Sequence, residues 1–134
     1  MNDRGRSATS EPRAGPGARP ILVVDDDPAI RESIQWVLED EGFVVATASD
    51  VREALDVASR IHPALVLLDM TLPVLSGEEV ADALRANGGP PIIVITAAGR
   101  AAEKAQRCGA VAYLQKPFDI SALAVLVRRH LQAS

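Results

Sequence analysis

From Pro20 onward, the chain alternates between short apolar runs and longer segments in which apolar residues recur at helical spacing. The apolar runs are rich in Val, Ile and Leu and lie at residues 21–24, 43–48, 64–68, 91–95 and 111–114. Three of the runs are apolar throughout, a pattern typical of parallel strands that are covered on both faces. The pattern therefore predicts a sheet of buried, parallel strands.

The segments between these runs predict helices. The first begins with Asp27 as N-cap and Pro28 at the first helical position, and it ends at Gly42. In the second, Asp50 and Glu53 have the spacing of a capping box. Three further helical segments lie around residues 80–84, 100–108 and 120–131. Alternating strands and helices of this kind predict a single doubly wound α/β domain, in which right-handed crossovers place helices on both faces of the sheet.

Length and composition limit the number of domains and the class of protein. A chain of 134 residues fits one domain. We expect residues 1–19, which are rich in Arg, Gly and Pro, to form a disordered leader, and residues 20–132 to form the folded domain. So few residues follow Leu131 that we expect no output domain. The leader lacks the apolar core of a signal peptide, and no apolar run approaches the roughly 20 residues of a membrane-spanning helix.

Charge and cysteine content exclude some classes of partner. The net charge is −4, which does not favour direct binding of nucleic acid. Cys108 is the only cysteine, so the chain cannot form an internal disulfide, and this suits a reducing, cytoplasmic setting. We expect Cys108 to be a small buried residue of a helix, and Trp36, which lies off the apolar stripe of its helix, to be partly exposed.

Polar residues stand where the predicted strands end. The first strand ends in three aspartates at residues 25–27, the third ends in Asp69, the fourth ends in Thr96 and Ala97, and the fifth leads into Lys116. The carboxyl ends of parallel strands share one edge of a sheet, so these side chains should meet. Crowded carboxylates raise at least one pKa unless a cation is present, and their oxygens suit octahedral Mg²⁺. A metal beside an aspartate, a hydroxyl and an ammonium describes a phosphoryl-transfer site.

Taken together and in this order, these segments resemble the receiver domain of bacterial two-component response regulators. The matching residues are ILVVDDD at 21–27, LLDM at 67–70 with Pro73 and Gly77, ITA at 95–97, and YLQKPF at 113–118. The resemblance covers about residues 20–132. It implies a flavodoxin-like fold, a (βα)5 domain with five parallel strands in the order 2-1-3-4-5.

The resemblance also implies a role for each polar residue at the acidic end. Asp69 would accept a phosphoryl group and would contribute to a Mg²⁺ site. Asp26 would bind the metal directly, Asp25 would help to hold it through water, and Thr71 would offer its main-chain carbonyl.

On the other side of the site, the resemblance assigns two residues to the phosphoryl group. Thr96 would place its hydroxyl on that group, and Lys116 would pair with one of its oxygens through a loop with a cis Lys116–Pro117 peptide. Tyr113 stands at the position of an aromatic switch whose ring moves inward on activation, although it could equally be a packed strand residue.

The function implied is that of a stand-alone, phosphorylation-activated signalling switch and not an enzyme. Its partners would be a sensor histidine kinase or a histidine phosphotransfer protein, and a downstream protein. The downstream contact would use the fourth helix, fifth strand and fifth helix, about residues 100–131, a face that also allows a phosphorylation-dependent dimer. We expect no direct nucleic-acid partner, no membrane contact and a cytoplasmic location.

The residues also bear on three other functions. A phosphohydrolase with an aspartate nucleophile usually has an acid two residues after it, where this chain has Thr71. A flavodoxin-like cofactor binder needs a loop of main-chain amides that cradles phosphate, whereas the aspartates at residues 25–27 would repel it. A degenerate receiver that binds a partner without phosphorylation would lack a key residue of the site, and none is missing here.

Overall fold

The computed structural model describes residues 19–69, 82–85, 89–96 and 101–132. Five strands are present in these residues: β1 (Ile21–Val24), β2 (Val45–Ala48), β3 (Leu65–Asp69), β4 (Ile92–Thr96) and β5 (Ala112–Gln115). The helices are α1 (Pro28–Asp40), α2 (Val51–Ile61), α3 (described over residues 82–85), α4 (Ala101–Cys108) and α5 (Ile120–Gln132).

The strands form one parallel sheet in the order β2-β1-β3-β4-β5, which confirms the predicted fold. The register decides which residues meet at the carboxyl edge. Val24, the last residue of β1, lies opposite Leu68 of β3, and Asp69 lies opposite Ile95 of β4. Asp25 and Asp69 therefore leave the sheet at the same level on neighbouring strands.

Helices cover both faces of the sheet, and each face has its own apolar core. On one face, Leu22 and Leu68 pack with residues of α2, α3 and α4. On the other face, Ile21 and Leu67 pack with residues of α1 and α5. Because successive strand residues point to opposite faces, a strand buried on both sides has no polar positions, which explains the continuous apolar runs.

Side chains close in the sequence cap the start of each of the first two helices. Asp27 is the N-cap of α1 and accepts a hydrogen bond from the main-chain nitrogen of Ala29. In α2, an oxygen of Asp50 accepts from the nitrogen of Glu53 at 2.8 Å, while Glu53 accepts from the nitrogen of Ser49, also at 2.8 Å. The predicted capping box is thus confirmed, with its return bond directed to the residue before the N-cap.

The second strand begins two residues later than predicted, at Val45 rather than at residue 43. The reason is the end of α1, where Gly42 takes a left-handed φ of 98°. This turn directs the main-chain nitrogen of Phe43 back to the oxygen of Leu38, at 3.0 Å. The N–H of Phe43 therefore caps a helix instead of entering the sheet.

The third, fourth and fifth strands each extend one residue beyond the apolar run that predicts the strand. Asp69 pairs with Ile95, and Thr96 pairs with Gln115. Asp69 and Thr96 are therefore the last residues of their strands, as the sequence predicts. Their main chains are held in the ladder, which fixes the side chains more firmly than a loop would.

The predicted leader lies outside the described residues except for its last residue, Arg19. The guanidinium of Arg19 donates to the main-chain oxygens of His62, at 3.1 Å, and Pro63, at 3.2 Å. Trp36 on α1 is exposed, as predicted. The predicted burial of Cys108 concerns a side chain outside those described. None of the helices that the structure describes has the length and apolar character required to cross a membrane.

Candidate functional site

The centre of the acidic edge is an ammonium group between two buried carboxylates. The side-chain nitrogen of Lys116 lies 3.5 Å from Oδ2 of Asp25 and 3.4 Å from Oδ2 of Asp69. The two aspartates are 2% and 1% exposed, and the Lys116 side chain is 19% exposed. The sequence prediction that these three residues meet is therefore confirmed in geometry, although they come from three different parts of the chain.

Asp26 completes an acidic cluster with Asp25 and Asp69. Carboxylate oxygens from the three residues all lie within 4.8 Å of one another, and Asp26 is the exposed member. Carboxylate oxygens are the hard ligands that Mg²⁺ prefers, and water commonly completes its coordination. This donor set therefore fits a magnesium ion. Thr71, the predicted main-chain ligand, lies outside the described residues.

The surroundings of Asp25 disfavour the charged form of its carboxyl group. Burial raises the pKa of Asp25 above its ordinary value, and the neighbouring Asp69 raises it further. The hydrogen bond from the nitrogen of Asp27, at 2.9 Å, and the charge of Lys116 act in the opposite direction. The pKa of Asp25 is therefore raised in the predicted direction, but burial contributes more to the rise than the neighbouring carboxylate does.

Thr96 and Tyr113 lie on the two strands beyond Asp69. Thr96 is fully buried at the end of β4, and its main-chain oxygen accepts a hydrogen bond of 2.8 Å from the nitrogen of Lys116. Tyr113 lies on β5 opposite Val94, with about half of its side chain exposed. The Lys116–Pro117 peptide is cis, as the resemblance implied.

Sequence reasoning missed one residue that contacts the site, Arg31 on α1. Its Nη1 donates a hydrogen bond of 2.8 Å to the main-chain oxygen of Asp25. The only signal in the sequence is an arginine close after the three aspartates, near the start of a helix, where a solvated side chain is the ordinary expectation.

Comparison with known proteins agrees with this geometry. The family model of the response regulator receiver domain matches residues 21–128. The chain is 40% identical over 114 residues to the DNA-binding response regulator MtrA of Mycolicibacterium smegmatis, covering 84% of this chain and 50% of MtrA. It is 43% identical over 115 residues to the response regulator MprA of Mycolicibacterium vanbaalenii, with the same coverage. The chain thus spans about half the length of the curated relatives it matches.

Solved structures with the same fold include a CheY-like receiver domain from Methanospirillum hungatei, with a TM-score of 0.79 and 30% identity over 87% of this chain and 96% of that one. The receiver domain of NtrX from Brucella abortus has a TM-score of 0.78 and 33% identity, over 85% of this chain and 99% of that one. Sequence, fold and acidic site agree, and the chain belongs to the response regulator receiver domain family of two-component signalling.

Proposed function

We propose that Asp69 accepts a phosphoryl group and that this modification switches the domain between two conformations. The observation that supports this most is the ammonium of Lys116, 3.4 Å from Asp69, which is clustered with Asp25 and Asp26. A carboxylate nucleophile needs positive charge close by, because the incoming phosphoryl group brings further negative charge into the site.

The reaction is a transfer between two proteins. An oxygen of Asp69 attacks the phosphorus of a phosphohistidine on a sensor kinase or a histidine phosphotransfer protein. The phosphorus–nitrogen bond breaks, its electron pair stays on the imidazole, and an acyl phosphate forms on Asp69. Lys116 pairs with a phosphoryl oxygen during and after the transfer.

Asp25, Asp26 and Asp69, together with the main-chain oxygen of Thr71, would hold Mg²⁺. When bound, the ion would neutralise the carboxylates and draw charge from the phosphoryl oxygens. Support for this assignment comes from the three converging carboxylates, since an acidic cluster with one ammonium retains excess negative charge.

Phosphorylation changes the charge of the site, and this change drives the transition between the two conformations. A phosphoryl group adds nearly two negative charges and strong hydrogen-bond acceptors. We propose that the hydroxyl of Thr96 turns to this group and that the ring of Tyr113, about half exposed on the neighbouring strand, moves inward. An active conformation only a few kcal/mol above the inactive one suffices for such a shift.

Intact mass after incubation with Mg²⁺ and acetyl phosphate tests the central step. We expect one phosphoryl adduct on the wild-type chain, and no adduct without Mg²⁺ or in Asp69→Asn. If no adduct forms with acetyl phosphate or with any of a panel of phosphorylated sensor kinases, the degenerate receiver is the better description. Sustained release of phosphate from a generic ester, abolished in Asp69→Asn, would instead indicate the phosphohydrolase.

The output is a separate part of the proposal. We propose that the domain acts as a stand-alone switch in the cytoplasm. Its output is contact with a downstream protein, or with a second copy of the chain, through α4, β5 and α5. MtrA, half of which is covered by the match to this chain, is a DNA-binding response regulator, so the relatives give no support to an output without nucleic acid. Light scattering and DNA mobility shifts on the phosphorylated and unphosphorylated chain separate the two outputs.

A further inference from the structure

Arg31 connects helix α1 to the loop that carries the acidic residues. Its side chain donates the 2.8 Å hydrogen bond to the main-chain oxygen of Asp25, in a partly buried position. Its main-chain nitrogen donates to the oxygen of Asp27, at 2.9 Å. Arg31 therefore bonds to the carbonyl oxygens of the two residues that flank Asp26: the bond to Asp27 is the first main-chain bond of α1, and the bond to Asp25 is particular to the arginine side chain.

These two bonds restrain the backbone from which the Asp26 carboxylate projects. The oxygen of Asp25 and the nitrogen of Asp26 belong to one planar peptide unit. Rotation about the Cα–C bond of Asp25 moves that oxygen and Asp26 together. A bond from Arg31 to the oxygen therefore limits the directions in which Asp26 can leave the loop.

Asp25 is already held at its other polar atoms. Its nitrogen donates to the oxygen of Ala48, at 3.2 Å, and its Oδ1 accepts from the nitrogen of Asp27. Its Oδ2 lies 3.5 Å from the ammonium of Lys116. With the bond from Arg31, all four polar atoms of Asp25 have protein partners, and Asp26 is attached to this fixed frame.

We propose that Arg31 is a positioning residue for the metal site, which acts by fixing the peptide before Asp26 so that the Asp26 carboxylate stays in the cluster with Asp25 and Asp69. The inference rests on the proposed function in that it takes the cluster to bind Mg²⁺. A hydrogen bond from a guanidinium is charge-assisted and therefore strong, and partners that orient metal ligands commonly change metal affinity by about 10–100-fold.

A guanidinium close to carboxylates also acts through space, and this effect must be separated from positioning. Through-space attraction between partly exposed charges weakens as salt is added, whereas a fixed peptide orientation does not depend on salt. Arg52 provides a matched control, because it is exposed in the first turn of α2 at the same edge of the sheet. Removal of either arginine deletes one positive charge.

Calorimetric titration with Mg²⁺, without a phosphoryl donor, tests the proposal. We expect Arg31→Gln to raise the dissociation constant about tenfold at both low and high salt, and Arg52→Gln to change it less than about twofold. Arg31→Lys keeps the charge but not the planar fork, and should raise the constant about threefold. A value for Arg31→Gln equal to that of wild type or of Arg52→Gln, or a loss that vanishes at high salt, would overturn the proposal.

A second measurement guards against simple misfolding. With acetyl phosphate, the Mg²⁺ concentration that half-saturates phosphorylation should rise about tenfold in Arg31→Gln, while the maximal rate stays within about twofold. If Arg31→Gln does not melt cooperatively, Arg31→Lys carries the test, and wild-type affinity in that variant would show that charge alone suffices. Should the wild-type chain form no adduct, the proposed function fails, but the calorimetric comparison still decides the role of Arg31.

Discussion

The ammonium of Lys116 lies 3.4 Å from a carboxylate oxygen of Asp69, although 47 positions separate the two residues in the chain. The sheet brings them together because β3 and β5 both end at the same edge, on either side of β4. The ammonium contacts two of the three carboxylates in the cluster, so the cluster keeps excess negative charge. This excess of negative charge underlies the first three predictions below, on metal binding, stability and pH dependence.

Asp26→Asn should increase the thermal stability of the metal-free protein, because it removes one of three mutually repelling carboxylates. The same change should abolish most of the stabilisation that Mg²⁺ confers on the wild-type chain by binding the folded state. Thermal melts with and without Mg²⁺ measure both effects. Asp40→Asn, at the far end of α1, is the control and should respond to Mg²⁺ like wild type. A wild-type Mg²⁺ response in Asp26→Asn would place the metal elsewhere.

Lys116→Met should lower the free energy of unfolding by about 1–3 kcal/mol without Mg²⁺, because two buried carboxylates lose a charged partner. Methionine keeps the apolar stem, so the loss reports on the ammonium. Urea titrations give the value, with Arg129→Met on the exposed surface of α5 as the control. Unchanged stability would mean that water screens this contact. The variant should still fold and should uncouple phosphorylation from binding of a phospho-dependent partner.

The raised pKa of Asp25 predicts a dependence of stability on pH. A carboxyl group with a higher pKa in the folded than in the unfolded state contributes stability below the unfolded pKa, about 3.9. That contribution is lost as the pH rises through the folded pKa. Without Mg²⁺, Asp25→Asn should therefore gain stability relative to wild type from pH 4 toward neutrality. Urea titrations over this range test the trend, and a constant difference between the proteins would refute it.

Asp50→Ala should lower the free energy of unfolding by about 1 kcal/mol, because the nitrogen of Glu53 loses its side-chain acceptor. The Mg²⁺ dissociation constant should stay the same, since this cap belongs to α2 and not to the acidic loop. Asp50→Asn retains a capping oxygen and should recover most of the stability. Equal losses in both variants would show that the charge of Asp50, rather than its hydrogen bond, stabilises the helix.

Local signals in the sequence were sufficient for most of the fold. The capping box of Asp50 and Glu53 depends only on residues close in the chain, and the two-sided burial of β1 and β3 follows from their unbroken apolar runs. The start of β2 was predicted two residues early because Phe43 is apolar enough for a strand. Its N–H instead bonds to Leu38, a contact that depends on the left-handed turn at Gly42.

The sequence was sufficient to predict which residues form the candidate site, but not all of the contacts they make. Asp25, Asp69 and Lys116 could be grouped because parallel strands bring their carboxyl ends together. The bond from Arg31 could not, because it depends on the conformation of a long side chain whose position in the helix suggests only exposure to solvent. The raised pKa of Asp25 also depends on its burial, a property of the packed domain.

Lys116 is anchored at two ends. Its main chain bonds to Thr96 at the end of β4, and its side chain reaches Asp25 after β1 and Asp69 at the end of β3. Lys116, which follows β5, thus bonds to residues at the ends of three neighbouring strands, β1, β3 and β4. A change at the Asp69 carboxylate therefore directly alters a contact of the residue that follows β5, at the far edge of the sheet.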